Sequence, residues 1–363
     1  MNKKNNILIC PLEWGLGHAG RMIPLARKLQ EADNSVFIGA GKEHQQFFRN
    51  ELTGIKYIDF QGFKPGYSRF LPQYLSLLLR IPVLFYHIVT EHLRLKKIIR
   101  DNKIDIVISD NRFGLWNRKI RTVYVTHQLL IPFPEKLKFF EWTGILFHRF
   151  FIKRYSFCFI PDLPGELNVS GRLTHDVKLP ENARFIGILS RFLYCAPPGK
   201  EKKPDFTHNT VILSGPEPQR GILRKKLVEI LKDREPHTVI LEGKPGISGD
   251  AVRTGNIISY NHLASCEMQE MIMGSKCIIT RSGYTAIMEL ISLNRSALLI
   301  PTPGQTEQEY LAEYLSAKGW FTTVSQKSLD HGLVLTPGRP VNNGEMITES
   351  RILLEKALDE LLK

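Results

Sequence analysis

No two cysteines of this 363-residue chain form a C-x-x-C pair: Cys10, Cys158, Cys195, Cys266 and Cys277 are odd in number and scattered. That spacing excludes a zinc ribbon and a dithiol redox motif, and makes reduced thiols in a cytoplasmic enzyme the expected state. No run of about 20 apolar residues is present, so no segment reads as a membrane span. The longest greasy stretch, Tyr74 to Val89, is cut by Arg80 and Pro82. The first apolar run, Ile7 to Leu12, stops at Glu13, which is too short for a leader core and suits a strand. The chain has no Asp-x-Asp, so no metal bridge to a diphosphate is indicated. It also has no short-period repeat and no finger, RRM or basic coiled-coil signature, so nucleic acid is not an expected partner.

Positive charge is abundant, and it is unevenly placed. The net charge is +13, and residues 1–190 carry 28 Lys/Arg against 16 Asp/Glu, whereas residues 191–363 are nearly balanced at 21 against 20. A field of one sign on one half attracts an anionic partner, unless it is simply a solvated basic face. Two segments of that half mix cations with large apolar residues: Phe70 to Arg100, and Lys136 to Tyr155 with Phe139, Phe140, Trp142, Leu146, Phe147, Phe150 and Phe151. Such a mixture seats a helix at an anionic bilayer surface. A core-facing amphipathic helix is the competing reading, but the second segment has more aromatics than one buried stripe would hold. The expected location is therefore cytoplasmic, peripheral at the inner face of the cell membrane.

Short β-branched runs alternate with helical patterns. Ile7–Cys10, Val36–Ile38, Ile104–Ser109 and Thr122–Thr126 read as buried parallel strands, and the rhythm restarts after residue 205 with Thr210–Ser214, His237–Glu242, Ile257–Tyr260, Cys277–Thr280 and Ser296–Ile300. Helical stretches include 19–32, 42–49, 218–233, 266–273, 284–292 and 306–318. The pattern predicts an α/β protein of two doubly wound parallel-sheet domains, 1–190 and 191–363. The Pro-, Gly- and charge-rich stretch 194–204 reads as a linker or loop. The last helix, 344–362, is free to pack on either domain.

Ligands of such sheets bind beyond the carboxyl ends of the strands. The loop after the first strand carries Gly15, Gly17 and His18, a tight turn opening a helix whose free N–H groups suit an anion. An imidazole at that mouth can take a proton near neutral pH, although a lone His is often only a cap. Ser214, Gly215 and Arg220 follow a strand of the second half and suit a phosphate. Arg281, Ser282 and Gly283 open a further helix, a place for a diphosphate, with Glu289 further along it to accept from two ribose hydroxyls. Glu307 and Gln308 stand at another strand end, where they suit sugar hydroxyls. In the first half Asp110, Asn111, His127 and Gln128 follow strands and would line an acceptor pocket.

Arg281-Ser-Gly-x-x-x-x-x-Glu289-Leu, then Ala297-Leu-Leu-Ile-Pro301, then Glu307-Gln308 before Tyr310, resemble the C-terminal donor-binding domain of glycosyltransferase family 28, whose members include the lipid-II-forming N-acetylglucosaminyltransferases. Gly15-x-Gly17-His18 followed by Leu25-Ala26 resembles the N-terminal acceptor loop of the same family. The resemblance implies the GT-B architecture, two Rossmann-like domains facing across a cleft. It further implies that Glu289 binds ribose, Ser282 and Gly283 the diphosphate, and Gln308 the donor sugar. Ser265, Cys266 and Met268 would line the base pocket, and Arg191 would be an interdomain arginine near the nucleotide. His18 would deprotonate the acceptor hydroxyl. The chain departs from the family pattern in its shortened first loop, in Ser214-Gly-Pro-Glu-Pro-Gln, and at Ala312. Gly15-x-Gly-His-x-x-Arg21 also resembles the UDP-sugar hydrolases of the pseudaminic acid pathway, in which the His activates water.

The expected activity is an inverting hexosyl or N-acetylhexosaminyl transfer, independent of metal and of any cofactor. The donor would be a nucleotide-sugar, a UDP-sugar by the resemblance, and the acceptor a glycan or lipid-linked hydroxyl at the membrane. A UDP-sugar hydrolase and a non-catalytic sugar-nucleotide-binding subunit are the alternatives.

Overall fold

A computed structural model describes residues 4–63, 80–195, 206–247 and 249–363. It contains two seven-stranded sheets. In the first, β1 (Asn6–Cys10), β2 (Ser35–Ala40), β3 (Lys56–Asp59), β4 (Ile106–Asp110), β5 (Arg121–Val125), β6 (Phe157–Ile160) and β7 (Ala183–Phe185) run parallel in the order β3-β2-β1-β4-β5-β6-β7. In the second, β8 (His208–Ile212), β9 (Thr238–Leu241), β10 (Val252–Thr254), β11 (Ile257–Tyr260), β12 (Ser275–Thr280), β13 (Leu298–Leu299) and β14 (Thr322–Thr323) take the order β10-β11-β9-β8-β12-β13-β14. Only β10 in that sheet runs antiparallel, against β11. The central strands are continuous apolar runs because helices cover both faces of a parallel sheet. In β1, Ile7 and Ile9 join one core cluster while Leu8 and Cys10 join another, as strand alternation requires.

The helices are α1 (Leu16–Glu31), α2 (Lys42–Glu51), α3 (Ile81–Asn102), α4 (Glu141–Ile152), α5 (Gln219–Leu231), α6 (Ser265–Met273), α7 (Tyr284–Ser292), α8 (Thr306–Ala317) and α9 (Gly344–Leu362). Helix α9 returns to the first sheet. Arg184 pairs with Glu360, Arg121 donates to the Leu361 carbonyl and Ser350 Oγ accepts from the Ile188 amide. Beyond Cys195, the stretch expected as a linker lies outside the described residues, as do residues 70–79 of the first cationic segment.

One expectation needs correcting. Cys195 and Cys266 form a disulfide, with Cα atoms 5.3 Å apart; Cys10, Cys158 and Cys277 are free and buried. A short helical turn at Arg191–Tyr194 brings Cys195 against the start of α6. The spacing of 71 residues gave no sign of this, because the pairing depends on tertiary approach.

Candidate functional site

The carboxyl ends of the two sheets face each other, and the loops expected to carry chemistry meet there. Gly15 adopts φ 80° at the start of α1, a conformation that favours glycine. A Cβ on Gly17 would come within 3.3 Å of Thr285 Oγ1 in the second domain, and that hydroxyl donates to the Gly17 carbonyl at 3.1 Å. A Cβ on Gly15 would lie 3.8 Å from the Cα of Gly215, which itself has φ 87°. The small residues of the first loop therefore allow the two backbones to touch.

His18 stands in the first turn of α1 with its side chain 16% exposed. Its Nδ1 lies 2.9 Å from both Asp110 Oδ2 and Arg21 Nη2. Burial, set against Asp110 and reinforced by Arg21, holds the imidazole below its ordinary pKa. His18 is therefore neutral near pH 7 and able to accept a proton.

Asp110, expected to line an acceptor pocket, is instead fully buried at the end of β4. One oxygen takes Arg21 Nη2, and the other takes Arg21 Nε at 3.1 Å together with His18. Burial raises its carboxyl pKa, but Arg21 and then His18 more than offset this and hold it below the usual range. The sequence reading leaves Arg21 without a role. Its place three residues after His18, on the same helix face, was the available signal.

His127 follows β5 and is buried. Its Nδ1 accepts from Arg21 Nη1 at 2.8 Å, and its Nε2 lies 2.7 Å from Glu307 Oε1 of the second domain. Its ring stacks on Tyr284 with centroids 4.1 Å apart and planes 11° apart. Burial raises the Glu307 pKa, but His127, joined by His18 and Arg21, more than offsets it and the net shift is downward. Asn111 adopts φ 51°, and the Gln128 amide donates to Thr126 Oγ1. These two sit at the same strand ends as Asp110 and His127.

In the second domain, Glu289 is buried on α7 and accepts from Arg191 Nε at 2.8 Å. Burial raises its carboxyl pKa, partly offset by Arg191 and reinforced by Glu51. Arg191 Nη2 also reaches Met268 Sδ at 3.1 Å, and a Cβ on Gly20 of α1 would lie 3.5 Å from Glu289. The carboxylate expected to bind ribose is thus held by Arg191 beneath α1. Glu51, from the end of α2, accepts from the Ser265 amide at 3.0 Å. Cys266 is tied by its disulfide.

Three expected donor-site residues turn inward. Arg281 donates to the carbonyls of Ile300, Pro301 and Gln219, and burial lowers its pKa to about 10. Ser282 Oγ donates to the Gln308 carbonyl, and Gln308 Oε1 accepts from the Thr302 amide. These three brace the strand-end loops against each other. Arg220 is held by Glu217 and the Gly243 carbonyl, near Ser214 and Gly215. Gly283 caps α7 with extended backbone, leaving the helix's first N–H groups beside Gly17. Among the described residues, no three His, Cys, Asp or Glu side chains cluster in a way that could hold a metal ion.

Two helical segments of the first domain expose apolar side chains. Phe139, Trp142, Leu146 and Phe150 on 135–152, and Phe85 and Tyr86 on α3, are all exposed, and Phe85 meets Phe147 with ring centroids 6.1 Å apart. The first-domain groove lined by Gln61, Tyr86, His87, Thr90, Leu93 and Arg94 adjoins this surface. No helix among the described residues is long and apolar enough to cross a membrane.

Two parallel α/β domains with facing strand ends, one offering an imidazole and the other a helix N-terminus, define the GT-B class. Within it, residues 254–343 match the model of the glycosyltransferase family 28 C-terminal domain. The chain is similar to the solved glycotransferase of kitacinnamycin (14% identity, 99% of both chains, TM-score 0.63). It is also similar to CalG4, the calicheamicin glycosyltransferase (14%, 99% of this chain and 95% of that one, TM-score 0.58). A third is the spinosyn rhamnosyltransferase SpnG complexed with thymidine diphosphate (14%, 98% and 96%, TM-score 0.59). At these identities the likeness is one of fold. No curated protein sequence matches the chain.

Proposed function

We propose that the protein is an inverting hexosyltransferase acting on a nucleotide-sugar, a UDP-sugar by the family resemblance, without a metal. The observation that carries this reading is His18, held by Asp110 at the mouth of the crevice, opposite the N-terminus of α7 in a domain of family 28 type. His18 takes the proton of the acceptor hydroxyl at Nε2. The oxygen attacks the anomeric carbon, the bond to the diphosphate breaks on the opposite face, and the nucleoside diphosphate leaves. The α7 N-terminus and Arg191 stabilise its charge. Donor entry requires the Arg191–Glu289 pair to part, since ribose hydroxyls would take the guanidinium's place.

The acceptor is a hydroxyl on a lipid-linked or membrane-associated glycan. The exposed aromatics around Trp142 and Phe150 stand beside exposed Lys136, Lys138 and Lys153, a composition that binds anionic interfaces. Incubation with labelled UDP-sugars, with and without a lipid extract, tests the reading. Transfer that depends on lipid supports it. Release of free sugar without lipid would instead make the protein a hydrolase. Full turnover by a His18→Ala variant would remove the assigned base. Co-sedimentation with phosphatidylglycerol vesicles, lost in Trp142→Ser/Phe150→Ser, tests the membrane part.

A further inference from the structure

The contacts around His18 form a chain that leaves the first domain and ends on the second. A guanidinium N–H only donates. His127 Nδ1, 2.8 Å from Arg21 Nη1, must therefore accept, which places the ring proton on Nε2, facing Glu307 Oε1 at 2.7 Å. Tyr284 holds the same ring from its face. Glu307 and Tyr284 both belong to the second domain, so that domain sets how His127 presents itself to Arg21. Thr306, next to Glu307, is anchored to the Pro132 carbonyl of the first domain at 2.6 Å.

At the other end of the chain, His18 Nδ1 has two competing partners at the same 2.9 Å distance. Asp110 Oδ2 only accepts and Arg21 Nη2 only donates, so Nδ1 serves one of them. If the proton sits on Nδ1 facing Asp110, Nε2 keeps its lone pair and the ring is a base. If Nδ1 accepts from Arg21, the proton sits on Nε2 and the ring cannot take one from an acceptor. Nη2 carries two N–H groups, one taken by Asp110 Oδ1 and the other within reach of His18 Nδ1, while Nε is fixed on Asp110 and Nη1 on His127, so the guanidinium's orientation decides how far Nη2 competes for Nδ1.

We propose that Glu307 is a positioning residue for His18: through His127 and Arg21 it keeps the His18 proton on Nδ1 while the two domains are closed. When the domains part, His127 loses Glu307 and Tyr284, Arg21 Nη1 loses its fixed acceptor, and the guanidinium is released to settle its Nη2 donor, already 2.9 Å away, on His18 Nδ1. The imidazole is then basic only when the donor domain is in place, and an open crevice does not activate water. The proposal rests on the transfer reading only in giving His18 the base's role.

The test is nitrogen-15 NMR of the full chain labelled at histidine, with the His18 signals assigned by a His18→Gln variant and read in the neutral form. Wild-type protein is expected to show the proton on Nδ1. Glu307→Ala is expected to shift the population toward Nε2–H. Glu307→Gln, whose Oε1 still accepts from His127 Nε2, is expected to keep the wild-type pattern. In turnover with a UDP-sugar, Glu307→Ala is expected to lose about 10–100-fold in kcat, most of it recovered in Glu307→Gln. Unchanged His18 shifts in Glu307→Ala, or a Glu307→Gln variant as perturbed as the alanine, would overturn the proposal. If the wild-type chain turns over no nucleotide-sugar, the transfer reading fails, while the nitrogen shifts still decide this one.

Discussion

Replacing Asp110 by Asn would test the centre of the site without reference to any substrate. The carboxylate is fully buried, and the Arg21 guanidinium that it neutralises is 1% exposed. Asparagine fits the space and can accept hydrogen bonds, but it leaves a buried cation without its counter-charge. Removing one partner of a buried pair costs about 3–5 kcal/mol. In a domain of this size each kcal/mol lowers the melting temperature by roughly 2–4 °C, so a fall of about 6–20 °C is expected in calorimetry at pH 7. A double variant, Arg21→Met/Asp110→Leu, removes both charges and is expected to recover most of the loss, because apolar replacement of a whole buried pair is often neutral. The pH dependence has a definite sign. Arg21 and His18 hold the Asp110 carboxyl below its ordinary pKa, so its contribution is complete above the unfolded value of about 3.9 and is lost as pH falls below it. The double variant should lack that acid loss. An Asp110→Asn protein within about 0.5 kcal/mol of wild type would refute the reasoning, since Arg21 would then have to be neutralised or hydrated elsewhere.

Other outcomes follow from the same geometry. Burial among Phe113 and Tyr124 pushes the His148 pKa down to about 4 from 6.5, so roughly 3 kcal/mol of stability, present above pH 6.5, should disappear as pH falls to about 4; in His148→Leu the melting temperature should lose that part of its pH dependence. The Cys195–Cys266 bridge closes a loop of 71 residues, and Cys195→Ser/Cys266→Ser should lower stability by about 4 kcal/mol; equal denaturation midpoints with and without reductant in the wild type would exclude the bridge. Gly17→Leu should wedge the two domains apart at Thr285, removing a hydrogen bond of about 1 kcal/mol, and solution scattering should report a larger radius of gyration.

The interior strands and most helices were legible because burial on both faces leaves long apolar runs; β1, β11 and α7 lie where the pattern put them. The edges were not. β7 is three residues of mixed character, β3 is a partly exposed edge strand, and β6 follows directly on an aromatic-rich helix, so none carries a run that marks it. In the site, glycine spacing pointed to the first loop and His18. The pairs that close the crevice join residues 98 positions apart, for Arg191 and Glu289, and 180 apart, for His127 and Glu307. Local pattern carries no information at such separations. At Arg281 a cation beside a helix start suggested an anion-binding role; in the structure its two Nη groups face three backbone carbonyls, contacts that no local pattern announces.

Helix α9 gives the molecule a second seam. The polypeptide passes from one sheet to the other between β7 and β8, and α9 brings it back, fastened by Arg184–Glu360 and by Ser350 against Ile188. Removing α9 would therefore strip partners from Arg121, Arg184 and Ile188 of the opening half, although the helix closes the other end of the chain.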